Sequence, residues 1–230
     1  MPSPTEPVHQ FDSIEDTIAA FKNGEFIIVL DDQDRENEGD LIIAAESITP
    51  AQMAFLRIDM RAHHPLLASH LALPQMVAEN ADPKCTAYTI TIDSSDPSVT
   101  TGISASDRAL TCRTLASPSA TIDSFRRPGH IIPLQARPGG VRERMGHTEA
   151  AVDFCRLAGK PEAGVIAELV EDGQCVEGVP EIGGKNGMMR RDGCLRFGKR
   201  WGIKVCTIED LVAYLDRTEG VINGKKQALV

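Results

Sequence analysis

Ten consecutive residues, Asp31-Asp32-Gln33-Asp34-Arg35-Glu36-Asn37-Glu38-Gly39-Asp40, carry six carboxylates around a single arginine. Like charges this close raise one another's cost of ionisation, so ordinary loops seldom collect them. Two kinds of chemistry would use such a run. One is oxygen ligation of a hard divalent cation; the other is proton transfer by clustered bases beside an arginine that can hold an anion. A solvated turn between strands is the plain structural alternative. An EF-hand loop does not fit, because a frame opening at Asp32 puts Asn37 where glycine is needed and Ile43 where the bidentate glutamate belongs.

A second candidate is Arg142-Glu143-Arg144-Met145-Gly146-His147-Thr148-Glu149, where glycine and histidine sit just before a helix start. Backbone N–H groups there form an anion site, and Arg144 would reinforce it for a phosphate. His147 is then a ligand or proton carrier, or simply a structural histidine. The hydroxyl-rich stretch Thr100 to Arg108 could bind phosphate or sugar oxygens, although helix capping alone accounts for Ser106. Pro128-Gly129-His130 reads first as turn chemistry, and His63 and His64 have no partner pattern. Neither a GxxxxGK[ST] nor a GxGxxG nucleotide cradle occurs, and GxSxG and HExxH are absent too.

These segments need elements to position them. Ser13 with Glu15 and Asp16 predicts a helix start, with Ile14, Ile18 and Phe21 on one face until Gly24. Residues 26–30 and 41–45 read as buried strands flanking the acidic run, and Thr49-Pro50 opens a second helix. Residues 88–92 alternate as a strand, with Thr89 and Thr91 facing away from Tyr88, Ile90 and Ile92. Ser106 caps a helix to about Ala116, and residues 118–146 read as Pro-, Gly- and Arg-rich chain with one short apolar run at 131–134. A helix from about Thr148 to Gly159 precedes a strand at 164–170. The stretch 171–193 reads as loop or insertion, and a strand at 203–206 leads into a helix capped by Thr207. Helices alternate with strands close enough for antiparallel pairing, which predicts a single mixed α+β domain over 11–218, with a disordered tail at 1–10 and a frayed one at 219–230.

Composition narrows the function classes. With 24 basic against 33 acidic residues the net charge is −9, which disfavours a phosphate-driven grip on nucleic acid. The longest apolar run, Phe26 to Leu30, is far short of the ~20 residues that cross a bilayer, and no signal peptide is evident. A cytoplasmic protein with no membrane partner is expected. The six cysteines lack a CxxC pair, so buried thiols are expected rather than disulfides or zinc.

Taken together, DDQDRENEGD, TTGISASDRA, RRPGH and GHTEA with its preceding arginine occur in an order and spacing that resembles the 3,4-dihydroxy-2-butanone 4-phosphate synthase family of riboflavin biosynthesis, from about Phe21 to about Tyr214. The resemblance implies a stand-alone lyase converting D-ribulose 5-phosphate to L-3,4-dihydroxy-2-butanone 4-phosphate and formate. It further implies magnesium, with manganese as a substitute, no organic cofactor, and a homodimer with active sites at the interface. The implied fold is a single-domain three-layer α/β/α sandwich with a mixed sheet.

Carried over by motif, Glu36 and His147 would hold the metal. Arg35, Glu36, Asp40, Thr86, Arg144, Met145, Gly146, His147, Thr148 and Glu168 would line the substrate. Glu38, Asp40, His130, Glu168 and Asp31 would be the catalytic groups. The chain departs from the family in residues 57–71, where the family's Arg-His-x-Ser/Thr-Gly loop over the substrate is missing, and at Cys85, where the family usually has glycine. A non-catalytic sugar-phosphate- or metal-binding relative is the alternative these departures raise.

Overall fold

In a computed structural model the described residues are 10–56, 60–63, 65–171 and 187–221. Ser13 caps α1 (Ile14–Lys22), its hydroxyl accepting the Asp16 N–H at 3.1 Å. β1 (Ile27–Leu30) and β2 (Gly39–Ala44) pair antiparallel with Leu30 opposite Gly39, so the acidic run is the loop of a hairpin. Thr49 and Gln52 form a capping box on α2 (Pro50–Phe55). Then follow β3 (Met60–His63), α3 (Pro65–His70), β4 (Ala87–Tyr88), β5 (Ile92–Ser94), α4 (Ala105–Ala116) and β6 (Phe125–Gln135). The chain continues through α5 (His147–Leu157), β7 (Ala163–Glu168), α6 (Arg191–Trp201), β8 (Lys204–Thr207) and α7 (Ile208–Glu219).

The strands form one mixed sheet in the order β4-β6-β3-β7-β2-β1-β8, with β5 added to β6. Both faces are apolar. On one, Ile27, Val29, Ile42 and Ile166 pack with Phe21 of α1, Phe154 of α5 and Leu211 of α7. On the other, Ile28, Ile43 and Val165 pack with Met53 of α2, Leu115 of α4 and Cys194 of α6. This is the expected α/β/α arrangement: strands buried on both faces read as continuous apolar runs, as 26–30 and 41–45 do.

Several local expectations are corrected. The 88–92 strand is two short strands, and its alternation breaks: Tyr88 packs with the α5 layer whereas Ile90 and Ile92 pack with the α4 layer. Thr89, expected on a separate face from these, is buried with its hydroxyl donating to the Pro133 carbonyl at 2.9 Å. The cap of α4 is Ser104, not Ser106, because Asp107 turns back onto Thr100 and Gly102 and the Asp107 N–H is then met by Ser104 at 3.0 Å. Residues 125–135 make an eleven-residue strand where only a short apolar run is legible. Gly129 belongs to that strand because the backbone of Ile92 and Asp93 approaches within 2.1–2.4 Å of where a Cβ would stand.

Helix α6 begins inside the stretch expected to be loop; residues 172–186 of that stretch lie outside the described residues. Of the divergent segment, residues 57–59 and 64 lie outside the described residues, yet the backbone of Met60–His63 pairs with both β6 and β7, so part of it is a sheet strand. The terminal tails at 1–9 and 222–230, and Cys175, are likewise outside. None of the described cysteines is in a disulfide; four are buried and Cys85 is exposed. Among the described residues, no helix is long and apolar enough to cross a membrane.

Candidate active site

The hairpin loop is built around Asp31. Its Oδ2 accepts the Arg35 guanidinium at 2.8 Å and the Glu36 N–H at 3.1 Å, and its Oδ1 accepts the Glu38 N–H at 2.8 Å. With three donors on one buried carboxylate, the loop curls so that Arg35 also meets the Glu36 carboxylate. Sheet register does the rest. Asp40 lies opposite Glu168 across β2 and β7, and both follow Ile42 and Ile166 onto the face covered by α5.

His147 is the first residue of α5, which has Gly146 as its N-cap and no side-chain cap. Its Nδ1 lies 3.6 Å from Asp40 Oδ1 and 4.0 Å from Glu36 Oε2. Burial pushes the imidazole down to about 4, against the pull of Asp31, so the ring is neutral at pH 7 and these contacts are not ion pairs. Burial, with Glu168 and Glu36 nearby, holds the Asp40 carboxyl well above the usual range. Glu38 and Glu168 are raised for the same reasons, burial first and neighbouring carboxylates second.

The opposite wall belongs to Arg144. Its Nη1 binds the buried Glu149 at 2.6 Å, its Nη2 donates to Thr86 Oγ1 at 3.1 Å, and Nε and Nη2 both reach the Lys84 carbonyl at 3.2 Å. Between this wall and the acidic loop lies a cleft of about 190 Å³ lined by Arg35, Glu36, Asp40, Thr86, Arg144, His147, Thr148 and Glu168. Asp82 and Tyr88 line it too, and sequence reasoning missed both. Asp82 had a legible signal: with Pro83 it makes a turn whose carboxylate accepts the Thr86 N–H at 2.7 Å.

Five of the expected residues do not line this cleft, Asp31 among them, since its two oxygens are taken by the loop's own donors. Gly146 only caps α5, and Met145 lines a separate hollow of about 440 Å³ behind the acidic loop. Glu38 faces Arg190 at 3.7 Å. His130 sits on β6, four residues from the cleft residue Leu134, which is about 13 Å along a strand. It is half-exposed, with Nδ1 on Asp93 Oδ2 at 2.8 Å and its N–H on Asp93 Oδ1 at 3.0 Å. Gly102 closes over this pair at a φ of +84°; a Cβ there would stand 2.2 Å from the Asp93 carboxylate and 2.7 Å from His130 Nδ1. The hydroxyl-rich loop and His130 thus form a second cluster, apart from the acidic one.

The donor set fits a hard divalent cation. One ligand atom each from Asp31, Glu36 and His147 lies within 4.8 Å of the others, against cis separations of about 3 Å around an ion with ~2.1 Å bonds. Asp40 Oδ1 and His147 Nε2 are buried without a hydrogen-bond partner among the described residues, which native interiors seldom tolerate unless something else binds there. Both oxygens of Asp31 are already engaged, which leaves Glu36 and His147 as the ligands with free capacity.

Fold and cleft together define a small-molecule enzyme of the α+β class, with a carboxylate-rich centre beside an arginine wall. The profile of the family described as 3,4-dihydroxy-2-butanone 4-phosphate synthase matches residues 15–214, and the chain belongs to that family. It is 56% identical over 222 residues to the 3,4-dihydroxy-2-butanone 4-phosphate synthase of Pyricularia oryzae, covering 93% of this chain and 94% of that protein. It is 50% identical to the synthase of Schizosaccharomyces pombe, covering 88% and 97%. A crystal structure of a 3,4-dihydroxy-2-butanone 4-phosphate synthase in complex with two magnesium ions superposes with a TM-score of 0.89 at 57% identity, covering 92% of this chain and all of that one.

Proposed function

We propose that the chain is a lyase that converts D-ribulose 5-phosphate to L-3,4-dihydroxy-2-butanone 4-phosphate and formate for riboflavin biosynthesis, with magnesium, replaceable by manganese, and without an organic cofactor. Substrate and products balance without a co-reactant. The observation that carries the reading is the meeting of Glu36 and His147, from a hairpin loop and a helix start far apart in sequence, beside the unpaired Asp40 Oδ1. A cation held by Glu36 and His147 supplies Lewis-acid polarisation of the C2 ketone.

The chain's own groups do the remainder. Arg144, Thr86 and the backbone N–H groups of the α5 start bind the phosphate, where the helix dipole favours a dianion. Arg35 holds Glu36 toward the cleft. The reaction removes the C3 proton, expels the C1 hydroxyl as water, rearranges the skeleton, adds a water back at C4 and releases that carbon as formate, so the water lost is returned. Several proton transfers need several groups, and the register pair Asp40 and Glu168, with Glu38 beside them, offers these. Asp31 supports the reaction by shaping the loop. The cleft, about 190 Å³, is small enough to hold a five-carbon phosphate closely.

His130 enters this reaction from a second copy of the chain. Its separation from the acidic cleft within one chain supports a homodimer with active sites at the interface. Mixing inactive His130→Ala and Glu36→Gln chains tests this: heterodimers with one intact site would restore about a quarter of native activity, and cis sites would restore none. For the lyase itself, Glu36→Gln and His147→Ala should abolish formate release from ribulose 5-phosphate in magnesium, and full activity of either overturns the metal assignment. The full single domain over 11–218 is the unit proposed to carry this activity, in the cytoplasm.

A further inference from the structure

Strand ends, the start of α5 and two loops build the cleft, and Lys84 is where the two loops are tied. It sits in the turn that Asp82 closes onto Thr86. From there its Nζ crosses to the acidic hairpin and donates to the Arg35 carbonyl at 3.0 Å, while its own carbonyl accepts Nε and Nη2 of Arg144. Arg35 in turn binds Asp31 and Glu36. One residue therefore links the arginine wall to the loop that carries Glu36, and its ammonium is spent on a backbone carbonyl, a contact that fixes chain geometry.

Resting on the metal reading above, we propose that Lys84 is a positioning residue for the divalent cation: it pins the Arg35 peptide so that the Glu36 carboxylate stands ready opposite His147. The loop from Asp31 to Glu38 has no regular structure of its own and is held from inside by Asp31, from one side by Arg190 on the Glu36 and Asn37 carbonyls, and from the other by Lys84. Ordering such a loop costs conformational entropy, and a loop ordered beforehand binds its ligand more tightly.

Charge and positioning predict opposite signs here. A lysine beside a cation site repels the cation, so removing it should tighten binding if charge alone counted. If Lys84 positions the loop, removing its donor weakens binding. The test is Lys84→Met, which keeps length without a donor, and Lys84→Arg, which keeps donor and charge. Manganese affinity is read by EPR and inorganic phosphate affinity by calorimetry on the full chain. Lys84→Met should raise the manganese Kd about five- to tenfold and Lys84→Arg should recover most of it. Phosphate affinity should stay within about twofold, because the Lys84 carbonyl, Thr86 and Glu149 still hold Arg144. An unchanged or tightened manganese Kd in Lys84→Met overturns the proposal. Equal loss of manganese and phosphate, with a lower Tm, means general disruption and also overturns it. If the native chain binds no manganese, the metal reading itself falls and takes this inference with it.

Discussion

Asp31→Asn separates a residue that builds the hairpin from one that ligates the cation. Asp31 lies within reach of Glu36 and His147, yet its two oxygens already take three donors, from Arg35, Glu36 and Glu38. Asparagine has the same shape but one acceptor oxygen, and its amide hydrogens face donors. Losing two charge-assisted hydrogen bonds at the low end of 1.5–3 kcal/mol each gives about 3 kcal/mol. For a domain of this size each kcal/mol moves Tm by roughly 2–4 °C, so Tm should fall by about 6–12 °C. The assay is thermal unfolding in EDTA. A residue that only ligates would behave oppositely there, since removing one charge from a crowded acidic cluster relieves repulsion. Glu36→Gln is the comparison: that carboxylate is partly exposed and its partner Arg35 keeps Asp31, so its metal-free Tm should move by less than about 2 °C. An unchanged or raised metal-free Tm for Asp31→Asn would refute the building role.

Arg144→Ala should raise KM for ribulose 5-phosphate by one to two orders of magnitude, for a lost charged contact of roughly 1.5–3 kcal/mol; an unchanged KM moves the phosphate elsewhere. Cys85 holds a φ of +54°, which side-chain-bearing residues adopt at a cost. Cys85→Gly should therefore raise Tm by about 1–3 °C, net of the extra freedom glycine gives the unfolded chain, with formate release retained; a lower Tm contradicts this. The Arg156 hydrogen bond holds the Glu219 carboxyl below its usual range. A depressed carboxyl stabilises the fold above its unfolded value and loses that contribution as pH falls through the folded one. Glu219→Gln should thus lower Tm by about 1–2 °C at pH 7, for a partly exposed pair worth roughly 0.5 kcal/mol, and the gap should narrow as the pH falls below the ordinary carboxylate range. A gap that does not narrow with acid counts against the ion-pair origin.

The parts of the fold carried by local patterns were legible. Ser13, Thr49-Pro50 and Thr207 mark helix starts by capping chemistry, and the continuous apolar runs of β1 and β2 mark strands buried on both faces. What was not legible depends on distant partners. β6 runs through Pro128, Gly129 and Pro133, residues that oppose a strand locally, because β5, β4 and β3 supply its pairing. Helix α6 contains Gly193 and Gly198, which lower helix propensity. Gly198 is there because Val205 Cγ2 comes within 2.4 Å of where a Cβ would stand, a tertiary reason no local pattern carries. The acidic run announced a site through charge density alone, but only sheet register shows that Asp40 faces Glu168. Tyr88 reaches the cleft and Lys84 the acidic loop through contacts between segments, and their residue types give no hint of it.

The central claim is a divalent-cation-dependent excision of one carbon from ribulose 5-phosphate. Substrate labelled with ¹³C at C4 is incubated with the purified chain and followed by NMR, first after EDTA treatment and then with magnesium added back. Labelled formate should accumulate in magnesium and not in EDTA, with an unlabelled four-carbon phosphate formed in equal amount. Label retained in a sugar phosphate, or formate released equally in EDTA, would contradict it.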